Sequence, residues 1–431
     1  MFSKQFSSGL IWQVVIKFLA IGLGFFTTRW LVELLPSAEY RNYNLVLAYN
    51  AVLLVLVDFG IPQTIQKIYT HSQDAKENSN FWTTITILRI FSYFIGLIII
   101  LVTYPLSQTR DLGLIISLFT AQFIIVADIN YRAICQAVGR TWQFSLTDFL
   151  GKAILVGLLI LGNYVMYLSI SPLYYFVTAS IFAYSISLIS DAFWQKKYTS
   201  LSKFDFGQLK LLATSLIYLA LANLSIAIYL TTDKLFLAYF GFSDLVINSY
   251  ANAYKLFEIA QVVPGLVMPA ISSLIARKIV QEIDVNNKRK VLWQAAGASF
   301  IIGLALWIGV VLFGGIIISI IDGGNKYPET INLLPILSIS LIFICPMLIF
   351  KDTTIFLGYE KYDLITTCIT AFTAVSLYIL LIPTYGAIGA SLATIVSYLL
   401  DLILKAVFLE RILPKLNDNK PDTTSNINQS L

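Results

Sequence analysis

Apolar residues fill this chain in blocks too long for ordinary soluble helices, and the polar positions between the blocks are short interruptions. A hydrocarbon core about 30 Å thick takes about 20 consecutive, mostly apolar helical residues to cross. On that measure helices are predicted at roughly 9–35, 43–66, 82–105, 112–137, 144–168, 172–194, 209–240, 245–275, 291–321, 331–357, 362–382 and 386–410. The stretches lack the alternation a membrane barrel would need.

The polar interruptions orient these helices. With the amino terminus in the cytoplasm, cations such as Lys196, Lys197, Lys203, Lys288, Arg289 and Lys290 fall on the inner side. Only Arg41, Arg110 and Lys326 fall outside. That asymmetry is the positive-inside pattern, and it places both termini in the cytoplasm of a multi-pass cell-membrane protein.

Composition agrees. Apolar residues make up 58% of the 431 and charged residues 12%, with a mean hydropathy of +0.78. A soluble domain is about 45–50% apolar and about 25% charged. The net charge of +5 therefore reflects topology and attraction to anionic lipid heads, and no nucleic acid is expected as a partner.

One histidine, His71 in a polar loop, and three scattered cysteines leave no metal pattern. Loops of at most about 20 residues leave no room for a catalytic domain, so neither enzyme nor cofactor is expected. The first apolar stretch, interrupted by Lys17 and continuing to Leu35, reads as an uncleaved membrane helix. The tail, 413–431, is polar and expected to be disordered.

The chain also repeats itself. Thr27-Thr28 matches Thr231-Thr232, and Leu31 matches Leu235. After one inserted residue, Glu39 matches Asp244, Ala48-Tyr49 matches Ala253-Tyr254, and Gly60 matches Gly265. Ala179–Tyr184 and Ala393–Tyr398 share a further pattern. These matches lay helix one on seven, two on eight and six on twelve, a parallel repeat about an axis along the membrane normal. The expected fold is an all-α polytopic membrane protein of about twelve transmembrane helices in two six-helix lobes, 1–200 and 201–412.

Three segments carry a resemblance. "PTYGAIGASLATIVSYLL" from Pro383 resembles the last-helix motif of bacterial polysaccharide exporters, the oligosaccharide-lipid flippases of the MOP (multidrug, oligosaccharidyl-lipid, polysaccharide) superfamily. "DKLFLAYFGFSDLVINSYANAYKLFEIAQVVPGLVMPAISSLIAR" from Asp233 is similar to their helix seven–eight segment, and "EYRNYNLVLAYNAVLLVLVDFGIPQTI" from Glu39 to their helix two. The resemblance implies a MATE-like MOP flippase fold. It also implies translocation of a polyprenyl-pyrophosphate-linked oligosaccharide to the outer leaflet by alternating access. Membrane lipids and a polysaccharide polymerase or chain-length regulator would be its partners, and polysaccharide or lipopolysaccharide biosynthesis its setting. The small residues at Gly386, Ala390, Ala393 and Ser397 are expected to give the twelfth helix close approach to its neighbours.

Ionisable residues at membrane depth are costly and mark function. Four pairs lie at helical spacing: Arg29 with Glu33, Asp128 with Arg132, Asp148 with Lys152, and Lys255 with Glu258. Lys17 and Arg89 have no acid three or four residues away. With the resemblance, they become the first candidates for the diphosphate, followed by Arg29, Lys152 and Lys255. The competing expectation is that Asp58 or Asp128 neutralises them across helices.

Asp58 and Asp128 are also the candidate ion-coupling residues, with a helix-end role open for Asp58. Tyr49, Tyr218 and Tyr254 are candidates to line a cavity. A MATE-like multidrug cation exporter is the alternative, counted against by the two apparently unpaired cations. A membrane-embedded polyprenyl-lipid enzyme would need clustered acids or histidines, which the sequence does not offer.

Overall fold

The computed structural model describes the backbone of residues 4–58, 60–62, 64–65, 69, 75–106, 111–137, 141–165, 171–199, 206–282, 284–322 and 326–414. Within these, it describes side chains outside 4–14, 75–78, 106, 136, 141–142, 163–165, 206–219, 266, 270 and 322. The expectations for His71, the Tyr218 side chain and the tail beyond 414 lie outside the described residues.

The apolar blocks fold as helices: α1 Lys4–Leu34, α2 Ser37–Asp58, α3 Ala75–Thr103, α4 Leu112–Ala137, α5 Thr141–Val165 and α6 Pro172–Trp194. They continue as α7 Phe206–Tyr239, α8 Asp244–Gln281, α9 Val285–Asp322, α10 Thr330–Ser338, α11 Ser340–Phe356 and α12 Glu360–Ile412. Among the described residues, ten stretches are long and apolar enough to cross a membrane. α10 and α11 together make one of these, Thr330–Phe356. The helix pauses at Ile339, whose amide bonds Ile336 O because the Trp307 indole and the Ser338 hydroxyl occupy the carbonyl of Pro335.

At 53 residues α12 is too long for one crossing, and it is two arms. Gly386 breaks it with φ 56° and ψ −131°, a conformation open to glycine alone. Contacts then step away from this point in antiparallel register. Tyr378 meets Thr394 at 3.4 Å, Thr370 meets Asp401 at 3.4 Å, and Thr366 meets Lys405 at 3.1 Å. Gly389 lets the arms close: a Cβ there would collide with the Leu381 carbonyl. The turn expected between the last two helices is therefore present, with Pro383 just before it.

By contacts the chain forms two compact units, 1–248 with 318–327, and 249–317 with 328–431. In the first, α1 packs along α5, α6 lies against α4 and α5, and α2 lies against α4 and α7. Because α7 packs on α2, this contact boundary falls later than the repeat boundary expected at 200. In the second, α10 and α11 line α12, around Met268, Ile279, Leu292, Cys345, Ile349 and Leu409. Large apolar side chains such as Phe91, Val102, Leu312, Phe313 and Phe372 point outward, as lipid-facing residues do.

The repeat is local where it can be followed. Thr27 and Thr28 bond back to Gly24 O, and their counterparts Thr231 and Thr232 bond back one turn to Ala227 O and Ile228 O. It fails at Gly60, which has φ 68° just past the end of α2. Gly265 lies inside α8 between Pro264 and Pro269.

Candidate functional site

Six helices of the first unit bring eight ionisable side chains into two largely buried clusters. In the larger, Arg132 on α4 donates from Nε and Nη2 to Asp128 Oδ2 at 3.0 and 2.6 Å. This is the expected pair one turn apart. The guanidinium also reaches across to α5, with Nη1 3.5 Å from Asp148 Oδ1. The other oxygen of Asp148 takes Lys17 from α1 at 3.4 Å and Lys152 from its own helix at 3.5 Å. One carboxylate thus serves three cations.

Asp191 on α6 completes this cluster. Its Oδ2 accepts from the Thr147 hydroxyl at 3.0 Å, and its carboxyl lies within hydrogen-bonding reach of Asp128. Asp128 and Asp191 are 2% and 0% exposed, and each keeps an acceptor oxygen, Oδ1, that the described residues leave without a donor.

The second cluster belongs to Arg89 on α3. Its Nη2 donates to Asp58 Oδ1 on α2 and to Asn130 Oδ1 on α4, both at 2.8 Å, while Nη1 approaches Val57 O at 3.4 Å. Asp58 is the last residue of α2, so Arg89 holds the carbonyl end of that helix, where a cation is favoured.

These contacts supply what the competing expectation asked for, a protein carboxylate in place of an anionic ligand, although for Lys17 it is neither Asp58 nor Asp128. Each has a carboxylate on a neighbouring helix, Asp148 for Lys17 and Asp58 for Arg89. Arg29 stands apart, paired with Glu33 at 2.6 Å and half exposed near the end of α1. Lys255 is half-buried on α8 in the second unit, with Glu258 exposed one turn on. Tyr49 meets the Thr103 hydroxyl, and Tyr254 is buried against Tyr250 and Phe257.

Sequence reasoning missed Asp191, although the test that singled out Lys17 and Arg89 applies to it. No basic residue stands three or four positions away. It also missed a cluster in the second unit. There Lys405, 2% exposed, is bonded to Asp401 four residues before it, to Thr366 Oγ1 at 3.1 Å, and lies 3.2 Å from Asp363 Oδ1. The i,i+4 spacing of Asp401 and Lys405 was the available signal.

No protein-family model and no curated protein matches the chain. Solved structures do. The chain is similar to a multidrug-resistance MATE family transporter of the MOP superfamily in its inward-facing conformation, with a TM-score of 0.77 at 15% identity, covering 95% of this chain and 99% of that one. It is similar to a Pyrococcus furiosus MOP-superfamily transporter described as having a binding pocket of reverse polarity, with a TM-score of 0.70 at 14% identity, covering 95% and 96%. A MATE in complex with MaL6 matches with a TM-score of 0.68 at 14% identity, covering 95% and 97%.

These likenesses, with the internal pairing of Lys17 and Arg89, overturn the flippase expectation. The lipid-linked oligosaccharide substrate, the polymerase or chain-length partner and the polysaccharide or lipopolysaccharide setting fall with it. What remains is the architecture: this chain is a multi-pass membrane protein with the fold of those MATE-type transporters.

Proposed function

We propose that the chain is a secondary transporter that exports small amphipathic molecules by alternating access, in exchange for protons. The observation that carries this reading is the Asp128–Asp191 carboxyl pair, buried between α4 and α6 within a MATE-type fold. The cations that counted against a drug exporter are neutralised internally, so that objection lapses.

The cluster supplies a way for a proton to move a helix. A proton bound at Asp128 removes the partner of Arg132, which then relies on Asp148. Asp148 is already shared with Lys17 and Lys152, so the cluster gains one positive charge. The contact most easily surrendered is that of Lys17, at 3.4 Å and with a quarter of its side chain exposed. Lys17 is the link from α1 to the rest of the cluster, so protonation loosens α1 from α5. Asp58, held by Arg89 at a helix end, has a structural part in this scheme.

The reading is tested by efflux of fluorescent amphiphiles, cationic and anionic, from cells expressing the protein. Expression should lower retention of at least one dye, and an uncoupler should restore it. Retention unchanged across the panel, with the protein present in the membrane, would count against export.

A further inference from the structure

The first unit contains an exchange of charges between two helix ends. α1 ends at Leu34 and α9 at Asp322, and the last carbonyls of a helix lack intrahelical donors. Lys326, four residues beyond α9, donates through Nζ to Val32 O and to Leu35 O, the latter at 2.8 Å. In return Arg29 of α1 donates through Nη1 to Ile320 O in the last turn of α9, at 3.2 Å, while its Nε holds Glu33. Each helix end is thus capped by the other's cation, the placement favoured at a negative helix terminus.

Other contacts surround this exchange. The rings of Tyr40 and Tyr327 stack at 5.7 Å, both fully buried. Arg41 pairs with Asp244 at 3.3 Å. Asn44 donates to Asn248 Oδ1 at 3.1 Å, and Asn248 donates to Ser37 O at 2.8 Å. The α1–α2 turn is therefore tied both to the start of α8 and to 318–327. All of these groups sit on the face that the loop charges place outside.

We propose that this reciprocal capping by Lys326 and Arg29 is a latch that ties the outer ends of α1 and α9 together and must break when the external face opens. The inference rests on the alternating-access reading. The bond is built to be broken. Burial lowers the Lys326 ammonium below its ordinary pKa and outweighs the Glu33 carboxylate, so contact comes at the cost of lost hydration. Arg29 and Glu33 keep about half of their side chains in solvent.

The test uses full-length protein in right-side-out vesicles, with exposed Cys368 replaced by serine. Ala48→Cys is the reporter: Ala48 lies one turn beyond Asn44 on the same face of α2 and is 3% exposed. A membrane-impermeant maleimide is added outside. Lys326→Met, alone or with Arg29→Gln, should speed labelling at position 48 by about fivefold or more. Lys326→Arg should stay near the parent rate.

Leu173→Cys, made separately at the outer end of α6 where Leu173 is 4% exposed, reports general loosening of the fold. Faster labelling at position 48 with position 173 still protected supports the latch. Unchanged labelling at 48, or equal acceleration at both positions, overturns it. Because labelling needs no transported solute, a latch that opens on cue in a protein without efflux would fault the exporter reading alone.

Discussion

Arg89 on α3 reaches Asp58 on α2 at 2.8 Å, and the two side chains are 5% and 20% exposed. The same guanidinium holds Asn130 Oδ1 and approaches Val57 O. Three helices meet at this one residue, which gives it a structural duty before any other. Arg89→Met should cost about 3 kcal/mol, because it leaves a largely buried carboxylate without its cation. Adding Asp58→Asn should recover much of the loss. Thermal unfolding in detergent, read as the midpoint for single and double variants, measures both.

The Asp148 cluster should respond unevenly to its members. Lys17 is one of three cations on a single carboxylate and is a quarter exposed. Lys17→Met should therefore shift stability by only about 1 kcal/mol or less, in the range of partly exposed pairs. Asp148→Asn strips the counter-charge from all three and should cost about 3 kcal/mol or more. Comparable unfolding midpoints for the two variants would contradict the shared-carboxylate geometry.

Lys405 offers the same test in the second unit, with deeper burial. Lys405 and Asp401 are 2% and 1% exposed, and Asp363 stands 3.2 Å from the ammonium. Lys405→Met should destabilise by about 3–5 kcal/mol, and Lys405→Met with Asp401→Asn should lie between that variant and the parent. Yield of monodisperse protein, beside the unfolding midpoint, reads the result.

Much of the fold was legible because its cause is local. Apolar length set the helices, and Pro383, Gly386 and Gly389 marked the turn between the arms of α12. Pairs at i,i+4, such as Arg29–Glu33 and Asp128–Arg132, were also visible, since helical spacing alone brings them together. The cross-helix partners were not. That Lys17 meets Asp148, 131 residues away, depends on α1 packing along α5. Helical spacing left the partner of Lys17 and of Arg89 open between a ligand and a carboxylate on another helix, and only the packing shows Asp148 and Asp58 in that place. Gly60 and Gly265 show the same limit: matched in sequence, they sit past a helix end and inside a helix.

The hairpin in α12 predicts its own sensitivity. Gly386→Ala forces a side chain into a backbone region that glycine alone occupies and should cost about 1–3 kcal/mol. Gly389→Ala meets the Leu381 carbonyl and should cost a similar amount, about 1–3 kcal/mol, through forced separation of the arms. Gly297→Ala, in α9 where an added Cβ meets open space, is the control and should be neutral or slightly stabilising.

The central claim is that proton binding at Asp128 and Asp191 drives solute movement. Its most direct measurement is proton flux in proteoliposomes loaded with a pH-sensitive dye, after addition of an amphiphile that the protein exports from cells. The parent protein should show solute-dependent proton movement. Asp191→Asn should abolish it while solute exchange across the liposome, in the absence of a gradient, continues. Solute-dependent proton flux of undiminished size from Asp191→Asn and from Asp128→Asn would contradict the account.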